Sequence, residues 1–286
     1  MAVGPYGALL EAVRGVRWPA RRPVAGGAPG AHPARTRGVA LEFAEYRPYR
    51  QGDDPRRLDW KLLGRSDRAF IRLAPDRAVI PTLVAVDGSA SMAFGGKWTM
   101  ARQVAVACAA VAHGGGDPVG LDVAARGGIS RLSPRTRRGV VAEIARTLDA
   151  VAPGGSTSLA GVFLGAPSRV LLVTDCLGDL DALRRAARAH IVDGGEVHLV
   201  HVVARAELEP PRGSMLATDP EDAAIARTLT DAARPAYRAA FDAWRDGAAR
   251  GWRDIGASNH EAADDEAADI VVRRVVAISS SAGRRA

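Results

Sequence analysis

The pattern of hydrophobic and polar positions divides the chain into an indistinct first quarter and a regular remainder. From residue 79, VIPTLVAVD is an apolar run that stops at Asp87, as a buried strand does. The loop GSASMAFGG follows, and Lys97–His113 is apolar enough to form a buried helix. PVGLDVAA (118–125) predicts a second strand, which GGISRLS extends as a hairpin. Thr136–Val151 sets Val140, Ile144, Leu148 and Val151 on one face of an amphipathic helix. After the glycine turn PGGSTS and a short helix from Leu159, SRVLLVTD (168–175) repeats the earlier theme of an apolar strand ended by an aspartate. Asp179–Val192 predicts a helix capped by Asp179 or Asp181, and EVHLVHVVA (196–204) the next strand. Strands that are apolar throughout and separated by helices predict a doubly wound α/β domain, its mostly parallel sheet covered on both faces.

The flanks carry less pattern. Residues 3–17 suit a short amphipathic helix, and the Pro-, Gly- and Arg-rich Pro19–Gly38 a flexible connector. Leu41–Asp76 is polar without a clean period until Ala69–Leu73, which has strand character. Beyond the core, a helix over Glu221–Gly251 that Pro235 kinks or divides is expected, then a closing helix around Asp264–Arg274. The organisation expected is an N-terminal helix and linker (1–38), a segment packing on the core (39–78), the α/β core (79–205), and a helical part with a polar tail (206–286).

Composition narrows the class. The formal charge is +7, and residues 1–76 hold 14 Lys+Arg against 8 Asp+Glu, so most of the excess lies at the N-terminal end. A basic N-terminal part raises nucleic acid or an acidic protein surface as partners. No aromatic interleaving supports the former, and a solvated arginine-rich face is expected. Cys108 and Cys176 are too few for a disulfide framework; Cys108, inside the apolar run Val104–Ala112, suits a small core position. The first residues lack the basic start and apolar core of a signal peptide, and no stretch approaches the ~20 apolar residues that span a bilayer. A cytoplasmic location without a membrane span is expected.

The chemistry concentrates where strands end. In open α/β sheets ligands bind beyond the carboxyl ends of the strands, and Asp87 and Asp175 both fall at that edge. Asp87 opens D-G-S-A-S, a carboxylate followed by hydroxyls at Ser89 and Ser91. In a tight turn three oxygens at this spacing converge, and such hard donors suit Mg²⁺. The Gly154–Gly155 turn brings a further hydroxyl, Thr157, to the same edge. Ser89 and Ser91 also suit an alternative role, satisfying the turn's backbone or capping the next helix, and Asp175 could cap its own helix.

At these residues the chain resembles a known family. VAVDGSASM, GGSTSL and LLVTD are similar to the metal-ion-dependent adhesion site of von Willebrand factor type A domains, whose D-x-S-x-S, distant Thr and distant Asp match Asp87, Ser89, Ser91, Thr157 and Asp175. The resemblance implies that the hydroxyls touch the cation, that the carboxylates often act through water, and that one coordination position stays open for an acidic residue of a partner. The upstream LEFAEYRPYRQGDDPRRLDWKLLGR resembles the signature of bacterial domain of unknown function 58, which joins such a segment to a von Willebrand-type domain. That resemblance covers roughly residues 35–275 and implies action with a MoxR-type AAA+ ATPase. Within GDDPRRLDW, charges pairing internally around an anchoring Trp60 are expected, rather than chemistry at Asp53, Asp54, Arg56, Arg57 or Asp59.

Other chemistries lack their residues. There is no G-x-S-x-G, no complete phosphate-binding loop (Gly96–Lys97 is followed by Trp98) and no H-E-x-x-H. His198 and His201, three apart on a strand, face opposite sides. Cys176 adjoins the metal edge, but a bystander role suits it better than a nucleophile's. The expected function is non-enzymatic: a Mg²⁺-dependent module that binds a protein presenting an acidic residue and works as an adaptor to the ATPase. The alternative is a metal-dependent hydrolase acting on phosphate esters or peptides, which needs a general base beyond Asp87 and Asp175.

Overall fold

The computed structural model describes residues 4–21, 29–33, 45–51, 58–73, 77–221 and 224–282. In chain order the elements are α1 (Gly7–Ala12), β1 (Pro29–Pro33), β2 (Glu45–Pro48), α2 (Trp60–Ser66), β3 (Phe70–Leu73), β4 (Arg77–Ala78), β5 (Thr82–Asp87) and α3 (Lys97–Gly114). The chain continues through β6 (Val119–Ala125), β7 (Gly128–Arg135), α4 (Val140–Ala150), β8 (Arg169–Thr174), α5 (Leu180–Val192), β9 (Glu196–Val203) and α6 (Arg205–Leu208). It closes with β10 (Met215–Thr218), β11 (Ala226–Leu229), α7 (Arg234–Asp254), β12 (Ser258–Ala263) and α8 (Ala268–Ala282).

Six strands form one sheet in the order β12-β9-β8-β5-β6-β7, parallel throughout except for β7. Every residue of β5, β8 and β9 is buried, which is why these strands are apolar without alternation. One face packs under α3, α4 and α8, with Val84, Val86, Leu171, Val173, Val200 and Val202 pointing into it, and α1 lies against α3 and α8. The other packs under α5 and α7, where Leu83, Ala85, Val170, Leu172 and Leu199 of the sheet meet Trp252 of α7. From β5 the chain runs outward to β6 and β7, then returns to β8 and proceeds the other way. The order therefore reverses between β5 and β8, and a crevice opens there at the carboxyl edge. Asp87 ends β5, and Asp175 follows β8 immediately.

Several expectations are corrected. The C-terminal part is not purely helical: β12 pairs in parallel with β9 and completes the sheet. Its sequence, SNHEAA, carries no apolar run because an edge strand is half open, and its residues alternate between buried and partly buried. The helix expected from Glu221 begins instead at Arg234, after the antiparallel hairpin β10–β11. Pro235 lies in its first turn, where a fixed φ and a missing N–H cost nothing, so it starts the helix rather than kinking it. The N-terminal helix is shorter than expected, a 3₁₀ turn at Gly4–Tyr6 followed by α1. Part of the expected connector, β1, pairs antiparallel with β4.

Within GDDPRRLDW, Asp53, Asp54, Arg56 and Arg57 lie outside the described residues. Asp59 caps α2 by accepting from the Leu62 N–H at 3.0 Å. Trp60 is 65% exposed, so it does not serve as the packing anchor expected. Cys108 is buried in the core, and His198 and His201 do face opposite sides, against Trp18 and Trp244. No helix among the described residues is long and apolar enough to cross a membrane.

Candidate metal centre

Asp87 is nearly buried, and both its oxygens are oriented by short bonds. Its Oδ1 accepts from the Ser89 N–H at 2.9 Å, and its Oδ2 from the Thr174 hydroxyl at 2.6 Å. Thr174 reaches it because β5 and β8 run in register, Val86 opposite Val173, which sets the next pair side by side. The Thr174 oxygen in turn accepts from the Cys176 N–H at 3.0 Å, so this hydroxyl is fixed in its aim. Burial raises the Asp87 carboxyl above its ordinary range and the nearby Asp175 charge adds to that; the bonds from Thr174 and Ser89 oppose it only partly. Among the described residues no cation pairs with Asp87.

The loop after β5 is locked to the 154–157 turn by two backbone bonds. The Gly154 N–H donates to the Gly88 carbonyl at 2.7 Å, and the Ala90 N–H to the Gly155 carbonyl at 3.0 Å. Both loops also crowd the end of β6: a Cβ at Gly88 would stand 3.0 Å from the Ala124 oxygen, and one at Gly155, where φ is +77°, 3.0 Å from the Arg126 Cα. This lock carries Thr157 to a cavity of about 160 Å³ that Asp87, Ser89, Thr174 and Thr157 line together. The Thr157 hydroxyl donates to the Ala125 carbonyl at 2.6 Å.

Ser89 and Ser91 do not cap. Ser89 stands at the N-cap of the 3₁₀ turn Ala90–Ala93 without a side-chain capping bond. Instead the two buried hydroxyls lie 3.0 Å from each other. Neighbouring ligands of an octahedral Mg²⁺, each about 2.1 Å from the ion, stand about 3.0 Å apart. The pair therefore has the spacing of one edge of such a shell. Two hydroxyls, a third at Thr157 and a carboxylate suit a small hard cation, and among the described residues no cluster of three His, Cys, Asp or Glu side chains offers another metal set.

Asp175 stands apart. Its Oδ2 accepts from the Lys97 ammonium at 2.8 Å, and its Oδ1 from the Leu177 N–H at 3.2 Å. Lys97, at the head of α3, is fully buried; it also bonds Glu207 at 3.0 Å and lies over the Phe94 ring. An ammonium buried this deeply is tolerable only with such partners. Asp264 braces them, its two oxygens accepting from the Gly96 N–H and the Arg205 N–H, each at 2.7 Å. The helix after β8 takes its cap from Asp179, which accepts from Ala182 at 2.9 Å, so Asp175 is not the cap. Cys176 is buried, and burial pushes its thiol far up, which suits a bystander.

Of the five residues expected, Asp87, Ser89 and Thr157 line one cavity and Ser91 joins them through Ser89, while Asp175 is held by Lys97. The sequence reading missed Thr174, Lys97 and Glu207. The signal for Lys97 was a lone cation opening an apolar helix, which must find a buried carboxylate.

The family model described as "Protein of unknown function DUF58" matches residues 45–247. Uncharacterized proteins of Mycobacterium bovis and Mycobacterium tuberculosis are 29% identical over 267 residues, 87% of this chain and 83% of theirs. Among solved structures, the conserved hypothetical protein BatB of Bacteroides thetaiotaomicron aligns at 15% identity over 71% of this chain and 99% of its own, with a TM-score of 0.47. The VWA domain of SpRpn10 aligns at 10% identity over 69% and 94%, with a TM-score of 0.43. With the family model spanning well over half of its length, the α/β chain described here belongs to the DUF58 family.

Proposed function

We propose that the carboxyl edge of this sheet is a Mg²⁺-dependent site for an acidic group on a protein partner, and that the chain works without catalysis as an adaptor to a MoxR-type AAA+ ATPase. One observation carries the reading: the Ser89 and Ser91 hydroxyls sit at octahedral-edge spacing beside Asp87, a buried carboxylate with no cationic partner among the described residues. Asp87, Ser89, Ser91 and Thr157 would hold the ion, and Asp175, already shared with Lys97, contributes charge to the site. A bound Mg²⁺ there supplies positive charge and a coordination position that a partner's carboxylate can take. Thr174 aims Asp87, and the Gly88–Gly154 lock keeps Thr157 on the cavity that Ser89 also lines. The ATPase as partner rests on the resemblance of the segment LEFAEYRPYRQGDDPRRLDWKLLGR.

The test is a Mg²⁺-dependent pull-down of the ATPase by the full chain. Asp87→Ala and Ser89→Ala should each abolish the Mg²⁺-dependent part. Retention unchanged by both substitutions would end this reading. Phosphatase or peptidase turnover by the wild type that the same substitutions abolish would replace it with a hydrolase.

A further inference from the structure

The two site serines open on different spaces. Ser89 lines the cavity of about 160 Å³ with Asp87 and Thr157, whereas Ser91 lines a neighbouring one of about 640 Å³ beneath the β10–β11 hairpin, with Leu177, Ile225 and Tyr237. Among the described residues a single residue lines both, Glu221. It follows β10 on the same hairpin, and its own N–H is tied to the Asp219 carboxylate at 2.8 Å. Glu221 thus borders the space on either side of two hydroxyls that are 3.0 Å apart. Glu221 is exposed, and partial burial, then the charges of Asp87 and Asp175, raise its carboxyl above its ordinary range.

Acids around one opening repel one another, weakly where Glu221 meets water, and a cation between them turns that repulsion into attraction. Lys97 does not serve Glu221: its ammonium is taken by Asp175 and Glu207. A divalent cation at Asp87, Ser89, Ser91 and Thr157 would border the cavity that Glu221 also lines.

We propose that Glu221 is a ligand supplied by the chain itself: the β10–β11 hairpin presents it to the cation at Asp87, Ser89 and Ser91, so that a partner's acidic group must displace it. The inference rests on the cation reading above and adds an occupant to it. The hairpin is then a competitor in the same molecule, and partner affinity is set by the difference between two carboxylates.

Mn²⁺ alone, added to the full chain, tests this by calorimetry for affinity and by water-proton relaxation for the number of waters on the bound ion. Glu221→Gln should weaken Mn²⁺ binding about tenfold, the loss of one charged ligand, and should add a water to the bound ion. Millimolar acetate should then remove that water from the variant and not from the wild type. Unchanged affinity, or weaker affinity without the extra water, overturns the ligand role. Asp87→Ala separates the two ideas. If it abolishes Mn²⁺ binding while Glu221→Gln matches the wild type, only the role of Glu221 falls. If Asp87→Ala binds Mn²⁺ as the wild type does, or if the wild type binds none, the cation reading falls and takes this inference with it.

Discussion

Strand β8 is charged at both ends, and the ends are built differently. At its start, Arg169 is fully buried between Asp117 at 3.4 Å and Glu196 at 3.3 Å. Its remaining nitrogen donates to the Pro19 carbonyl at 3.1 Å, and the Trp18 ring lies 4.6 Å from its guanidinium carbon. This is a clasp: one cation, two acids, an aromatic lid and a fastening to the N-terminal segment. At its finish, Lys97 likewise meets two acids, Asp175 and Glu207, but Asp87 beside them has no cation of its own among the described residues and faces a cavity. Compensated charge sealed from water makes each partner indispensable to the others, since losing one strands a buried charge. Charge left in excess beside an opening is a stability cost that a ligand can relieve.

The contrast is most exposed at Arg169. Arg169→Met removes the cation shared by Asp117 and Glu196 and should cost about 3–5 kcal/mol in urea unfolding, with no recovery on adding Mg²⁺. A loss below about 1 kcal/mol would mean that the clasp is decoration.

Acid should attack the same end next. Burial holds His198 and His260 down to about 4, so each stays neutral in the fold while the unfolded chain takes up protons below about pH 6.5. Stability is fully present above that value and is lost as pH falls from 6.5 toward 4, by about 3 kcal/mol for His198. Glu196 extends the loss. Burial would raise it, but His198 beside it and the Arg169 charge hold it down to about 2, so its contribution disappears between about 4.5 and 2. Urea midpoints measured from pH 8 to pH 3 check this, and His198→Gln should flatten the curve between 6.5 and 4.

A smaller effect is expected at the other end. Lys97→Met leaves Asp175 and Glu207 without their shared ammonium, at a cost of about 2–3 kcal/mol, since Glu207 is partly solvated. Here millimolar Mg²⁺ should restore part of the loss, because the substitution adds net negative charge beside the site. Equal recovery in the Arg169 and Lys97 variants would erase the difference between the two ends.

How far each end was legible follows from the range of the interactions that build it. D-G-S-A-S is a local unit: a strand that stops, a turn and two hydroxyls within five residues. Gly154–Gly155 and Thr157 form a second such unit, and each was visible in the chain because a tight turn needs particular residues at particular spacings. The Arg169 clasp draws on Trp18, Asp117 and Glu196, none of them marked by a local pattern. The same holds for Lys97 with Glu207. For Glu221 the sequence suggested a helix start, whereas it lies in the connection between two short, mostly exposed strands, β10 and β11, where propensity is weak and tertiary placement decides.

By itself the sequence determined the α/β class, the strands whose both faces are buried, and the order of the carboxylate and hydroxyls around Asp87, because burial and turn chemistry write themselves into residue type and period. Only the tertiary structure decided that β12 completes the sheet, that Asp175 faces Lys97 rather than the cavity, and that Glu221 borders both spaces beside the serines. Those outcomes depend on which strands become neighbours and which side chain fills a gap. Such choices are settled by packing across long sequence separations, and no local pattern records them.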